Sequence, residues 1–267
     1  MIDCHVHFYP PNFTLDEIQD WHSAQEGFTT HKVVVVPETL IESQQVLDLS
    51  KTMPNSYYPC AGIHPVQLPT ISASSIEDIV TPIFRFVQSN ANDLVAVGEC
   101  GLDYSPHIIS NKPMSPESIK HLQLGVFKYQ IELSKQFGLP VNVHSRNAGH
   151  YAVDAMIEGQ AKGLLHAFDG KCSVALKAVS HGMYLSVPPC VVRSPVMQKW
   201  VTAIPMDFLV IETDAPALSS KKGEKNTIMA YTESIQAISD LKHIPLEQVE
   251  QICTQNALKL FPKLSNM

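Results

Sequence analysis

Short apolar, β-branched runs recur along the chain, with amphipathic stretches between them. The runs predict strands at Ile2–His7, Lys32–Pro37, Tyr58–Ile63, Leu94–Gly98, Leu139–Val143, Gly163–His166, Met183–Val187 and Phe208–Ile211. Helical patterning falls between them, as at Thr39–Thr52, Glu117–Phe137 and Lys171–Ser180. Strand–helix alternation of this kind predicts a parallel sheet. Eight such units in 267 residues predict a closed (β/α)8, TIM-like barrel. An open doubly wound sheet is the alternative, but the chain carries neither G-x-G-x-x-G nor G-x-x-x-x-G-K-[ST].

One helix is legible in detail. Ser115 suits an N-cap and Pro116 the first helical position, and Ile119, Leu122, Val126, Ile131 and Leu133 form an imperfect stripe. Gly138 fits the position just past the end, and the next strand follows at once. Two polar stretches, Tyr104–Met114 and Ala215–Thr227, read as loops over the strand ends. With no linker, repeat or low-complexity tract, residues 1–267 are expected to form one domain.

Composition narrows the picture. Hydrophobic residues make up 45% of the chain and charged ones 17%, below the usual share of about 25%, as a buried barrel would require. A net charge of −7 argues against a broad basic groove for duplex nucleic acid. It leaves room for a phosphate substrate, because two divalent ions would invert the local field. The six cysteines, Cys4, Cys60, Cys100, Cys172, Cys190 and Cys253, form no C-x-x-C pair and read as reduced core thiols. No run is long enough for a membrane helix, and the first strand begins at Ile2, so the expectation is a cytoplasmic or nuclear protein without a signal peptide.

The candidate chemistry sits at strand ends. In a parallel barrel the C-terminal strand ends converge on one face, so distant residues meet there. His5 and His7 share a face of the first strand and can hold one ion. Glu99 follows an apolar run; buried, it needs a cation, either shared metal ions or an ion pair with Arg146 or a lysine. His144 and His166 each end a later strand, and Asp214 follows the last one, two residues after Glu212 on the same expected face. Glu212 is read as a possible loop anchor and Asp103 as a group that orients a neighbour. Together His5, His7, Glu99, His144, His166 and Asp214 predict a two-metal hydrolase site. His64 reads as substrate-facing and Arg146 as a bidentate phosphate contact. His22, His31, His107, His121, His150, His181 and His243 read as surface or structural, and Lys221, Lys222 and Lys225 as a solvated loop.

These motifs occur in a recognisable order: Asp3-x-His5-x-His7, Gly62-Ile63-His64-Pro65, Val97-Gly98-Glu99-x-Gly101-Leu102-Asp103-Tyr104, Val143-His144-Ser145-Arg146, His166-Ala167-Phe168-Asp169-Gly170 and Glu212-Thr213-Asp214-Ala215-Pro216. In that order, from Ile2 to about Leu264, the chain resembles the TatD family of metal-dependent deoxyribonucleases. The Asn142–Gly149, Ser186–Ser194 and Thr254–Leu264 stretches resemble its third eukaryotic paralogue group. The resemblance implies an amidohydrolase-type barrel. It places His5, His7, Glu99 and Asp214 around one ion and Glu99, His144 and His166 around a second. It also implies hydrolysis of DNA, often 3′→5′ from single-stranded ends, with roles in repair or apoptotic DNA fragmentation. Tyr104 would join His64 and Arg146 in contacting substrate. Two departures stand out: Val6 replaces the family's frequent cysteine between the histidines, and Lys225-Asn226-Thr227-Ile228 replaces its usual R-N-x-P.

The expected mechanism is metal-assisted phosphodiester hydrolysis, with Glu99, Asp214 and His64 as catalytic groups and Asp214 taking the proton of the attacking water. Ligand softness favours zinc, manganese or nickel, and the resemblance admits magnesium. Two other readings compete: a hydrolase of a small ester, lactone or amide, and a metal-binding scaffold without turnover.

Overall fold

The apolar runs become parallel strands that pair in strict sequence order. A computed structural model describes residues 1–24, 31–70, 75–110 and 114–265. Among them the strands are β1 Ile2–Val6, β2 Lys32–Val35, β3 Tyr57–Ala61, β4 Ala96–Gly101, β5 Val141–His144, β6 Gly163–Leu165, β7 Tyr184–Val187 and β8 Leu209–Ile211. The helices are α1 Leu15–Ser23, α2 Leu40–Thr52, α3 Ile76–Asn90, α4 Pro106–Ile109, α5 Pro116–Phe137, α6 Gly149–Glu158, α7 Cys172–Ser180, α8 Pro195–Ala203, α9 Tyr231–Lys242 and α10 Leu246–Leu260. This is a (β/α)8 barrel, as the strand–helix alternation predicts.

Helix starts are set chemically. Thr14 with Glu17, Thr39 with Glu42 and Ser75 with Asp78 form reciprocal capping boxes before α1, α2 and α3. Ser115 caps α5 ahead of Pro116, and Gly138 ends it in the left-handed region at φ 64°. One expectation needs correcting. The Tyr104–Met114 stretch is not all loop, because Pro106–Ile109 winds into a single helical turn behind Ser105; residues 111–113 of it lie outside the described residues.

Alternate strand residues sort into different clusters. Val33 and Val35 pack with Ile18, Trp21 and Val46 of the helical layer. Val34 and Val36 pack instead with Tyr58, Cys60, Ala96, Leu164 and Val210, which can meet only inside the barrel. Cys4 belongs to this inner cluster, and five of the six thiols are buried, with Cys172 half-buried. Phe261 and Leu264 join the same cluster, and Lys32 Nζ donates to Leu264 O (2.8 Å). Lys263 Nζ donates to Leu94 O (2.7 Å), so the 261–265 segment covers the face where the strands begin.

The seam between β8 and β1 is closed by a carboxylate. Asp3 accepts from Thr213 N (3.0 Å) and Thr213 Oγ1 (2.5 Å). Backbone bonds continue the seam beyond it, Asp214 N to His5 O (2.9 Å) and His7 N to Ala215 O (3.0 Å). The first and last strands therefore deliver His5, His7 and Asp214 to the same place. Among the described residues no helix is long and apolar enough to cross a membrane.

Candidate metal centre

Glu99 remains within β4, which runs three residues past its expected end at Gly98. The reason is close approach to β5. A Cβ on Gly98 would lie 2.7 Å from Asn142 O, and one on Gly101, at φ 135°, would lie 2.0 Å from His144 O. Only glycine permits this spacing. It sets the Glu99 carboxylate against the residues ending β5 and β6.

Five imidazoles surround that carboxylate. Oε2 lies 3.6 Å from His5 Nε2 and 3.4 Å from His7 Nε2. Oε1 lies 2.8 Å from His144 Nδ1, 3.0 Å from His166 Nε2 and 3.3 Å from His64 Nε2. Asp214 completes the first half, with Oδ1 3.4 Å from both His5 Nε2 and His7 Nε2. Asp214 reaches this point because its φ of 54° breaks the strand alternation. Among the described residues no arginine or lysine pairs with Glu99, so the alternative ion pair with Arg146 or a lysine is not formed there.

The surroundings of each ring fix its tautomer. His5 Nδ1 meets Asn142 Oδ1 at 2.7 Å, and His7 Nδ1 meets Val36 O at 2.8 Å. Both acceptors demand an N–H, which leaves the Nε2 lone pairs facing Glu99 and Asp214. His144 is turned the other way: Nε2 meets Asp103 Oδ2 at 3.1 Å, so the Nδ1 lone pair faces Glu99. Asp103 is itself held by Ser105 N (2.8 Å). Its expected orienting role therefore has a partner. His64 differs, because its Nδ1 accepts from Val66 N (3.2 Å). Its proton sits on Nε2, and it presents a donor to the cluster rather than a lone pair.

Electrostatics agree with a cation site. Burial alone pushes the Glu99 carboxyl up, but the neighbouring imidazoles His64, His166, His5 and His144 outweigh it and hold it well below the usual range. Asp214 is likewise raised by burial and held low by His7, His166 and His5. Burial drops the His5 imidazole to about 3, with His166 stacked 3.8 Å away adding to the effect. Burial also presses His7 down, yet Asp214 and Glu99 lift it to about 9, so its Nε2 takes up a proton wherever no cation stands between the ring and these carboxylates. The two carboxylates thus call for positive charge at this point.

The donor set fits an ion. Five separations among His5 Nε2, His7 Nε2, Glu99 Oε2 and Asp214 Oδ1 lie between 3.4 and 3.6 Å. Corners at that spacing leave a centre roughly 2.1 Å from each, the length of a metal–nitrogen or metal–oxygen bond. Glu99 Oε2 and His166 Nδ1 are buried without a hydrogen-bond partner among the described residues. Among the described residues three groups are each close enough to hold an ion: His5 with His7 and Glu99, His64 with Glu99 and His144, and His5 with His166 and Glu212.

Several supporting residues escape motif reading. Asn142 accepts from His5 and donates to Cys4 O (3.0 Å). Its only signal is a polar residue inside an apolar strand. Glu212 does not anchor the loop that follows it. Its carboxylate accepts from Ala167 N (2.9 Å) and Ser186 Oγ (2.6 Å) and stands 3.6 Å from His166 Nδ1. The loop is held instead by Asn226, whose Nδ2 donates to Thr213 O (2.7 Å). Lys225 lies 4.4 Å over the Phe13 ring and donates to Asn12 O (2.9 Å), while Lys221 and Lys222 are exposed.

The centre opens into a cavity of about 350 Å³ bordered by His7, His64, Glu99, His144, His166 and Asp214. Arg146 and His107, both exposed, stand at its mouth. Tyr104 is not on the cavity wall; it lies beside it, half-buried, with its N–H donating to Arg146 O (3.0 Å).

The chain matches the TatD related DNase family over residues 2–262. It is 37% identical to human "Deoxyribonuclease TATDN3", an alignment covering 100% of this chain and 96% of that protein. It is 33% identical to the "Uncharacterized metal-dependent hydrolase YabD" of Bacillus subtilis over 63% of this chain and 65% of that one. Among solved structures, YJJV, a TatD homologue from Escherichia coli, superposes with a TM-score of 0.81 at 25% identity, covering 98% of both chains. The barrel, the histidine–carboxylate cluster at its strand ends and the full-length match agree: this chain belongs to the TatD related DNase family.

Proposed function

We propose that the chain hydrolyses DNA phosphodiester bonds, removing nucleotides 3′→5′ from single-stranded ends, with two divalent ions in the cluster. His5, His7, Glu99 and Asp214 would hold one, and Glu99, His144 and His166 the other. Magnesium, manganese and zinc are the candidate ions. The observation that carries the reading is the convergence of lone pairs on Glu99, with one carboxylate oxygen facing each group of rings. Bound divalent ions supply the positive charge that polarises a phosphoryl oxygen and acidifies water.

The chain's own residues supply position and proton transfer. Asp214, ionised and on the cavity wall, orients the attacking water and accepts its proton. His64 is kept neutral by burial and directs Nε2–H into the cavity, where it donates to a phosphoryl oxygen. Arg146 at the mouth takes a second phosphate oxygen through its guanidinium. Asp103 and Asn142 hold the His144 and His5 rings in the required tautomers. A small cavity in a protein of net charge −7 suits a strand end entering a pocket better than a duplex lying along a groove.

The test is digestion of a 5′-labelled single-stranded oligonucleotide with magnesium, manganese or zinc, and with chelator. A metal-dependent ladder shortening from the 3′ end supports the reading, and Asp214→Ala should abolish it. Equal cleavage of circular and linear strands would remove the exonuclease assignment. Failure with every metal would favour a small-ester hydrolase.

A further inference from the structure

Beside the cavity mouth lies a group of rings that the chemistry above does not use. Tyr104 and Tyr151 pack with ring centroids 5.3 Å apart, and the ring of the adjacent His150 lies 3.8 Å from that of Tyr151. Tyr151 is 48% exposed and His150 is also exposed, so both rings are accessible from solvent. Lys120 Nζ stands 5.6 Å over the Tyr104 ring, and Arg146 is tied to Tyr104 through the backbone bond already described. No ion pair of Arg146 or Lys120 occurs among the described residues.

We propose that Tyr104, Tyr151 and His150 form a stacking ledge for the unpaired bases of a single DNA strand whose 3′ end lies in the cavity. The inference rests on the nuclease reading and adds to it the surface that holds the strand outside the cavity. Every nucleobase has a π-face, so exposed rings with cations beside them bind single strands without reading sequence. Duplex DNA keeps its bases stacked on each other and gains nothing here. The ledge is joined to the centre through the chain: Asp103, which holds His144, immediately precedes Tyr104, and Ser105 Oγ accepts from Asn147 Nδ2 (3.1 Å) in the loop leading to α6.

The experiment compares KM for a dinucleotide and for a single-stranded deoxythymidine decamer in wild type, Tyr151→Ala and Tyr151→Phe. Tyr151 is half-exposed, so truncation leaves the core intact. Wild type should show a lower KM for the decamer. Tyr151→Ala should remove most of that advantage, a loss of about 5- to 100-fold by the usual strength of base stacking, and Tyr151→Phe should keep it. Anisotropy of a labelled decamer in chelator should give the same ranking without turnover. An unchanged length dependence and affinity in Tyr151→Ala would overturn the ledge while leaving the nuclease reading intact. A wild type that cleaves neither strand would overturn that reading, and the ledge with it.

Discussion

Asp103 holds the ring of His144: Oδ2 meets Nε2 at 3.1 Å, while the opposite nitrogen, Nδ1, stands 2.8 Å from Glu99. A carboxylate behind a ligating imidazole fixes both its tautomer and its angle, and removing one typically costs 10- to 100-fold in metal affinity. On the proposed function, Asp103→Ala should therefore weaken binding at one of two metal equivalents by about that factor. Calorimetric metal titration reads it directly, and unaltered affinity at both equivalents would show that the contact is incidental.

Metal should also stabilise the fold. A ligand held at about a hundred times its Kd adds about 2.7 kcal/mol. In a chain of this length each kcal/mol moves Tm by about 2–4 °C. Chelation should thus lower Tm by roughly 5–10 °C. Glu99→Ala, which removes the oxygen donors shared by both groups of rings, should have a Tm that responds little to chelator. An equal response in both proteins would place the stabilising ion elsewhere.

Gly101 is where backbone spacing becomes chemistry. A Cβ there would collide with His144 O at a φ of 135° that other residues avoid. Gly101→Ala should separate β4 from β5, costing more than the roughly 1 kcal/mol of an ordinary strand substitution. It should lower activity further than stability alone explains. Urea unfolding and activity measured at saturating metal separate the two effects.

His31 makes acid the weak side of the fold. It is buried beside the Tyr231 ring, 4.3 Å away, and burial lowers it from 6.5 to about 3. The unfolded chain takes up this proton below about pH 6.5 and the folded one does not. Its effect is absent at neutral pH and grows as pH falls towards 3, reaching about 2 kcal/mol at pH 5. His31→Gln should lose less stability than wild type between pH 7 and pH 5 in urea titrations. Parallel curves would mean that His31 titrates normally in the fold.

Strand positions were legible because buried parallel strands read as apolar runs, and the ends erred where backbone contacts decide. β4 outlasts Gly98 because β5 approaches it closely, a contact between residues some forty positions apart. The His5, His7, Glu99, His144, His166 and Asp214 cluster was legible from strand-end placement alone. Asn142, Ser186 and the true role of Glu212 were not, since each acts on a residue from another strand and leaves no local spacing pattern. Nor was the Tyr104–Tyr151 pair, since the two rings come from separate segments and meet, 5.3 Å apart, only in the fold.

The Asp3–Thr213 seam has a consequence for the order of events during synthesis. His5 and His7 leave the ribosome well before their carboxylate partner Asp214, which follows more than two hundred positions later. A nascent or truncated chain ending before β8 carries the histidines without the group that completes their arrangement. On the proposed function, a hydrolase of genetic material stays inert until its ring of strands has shut.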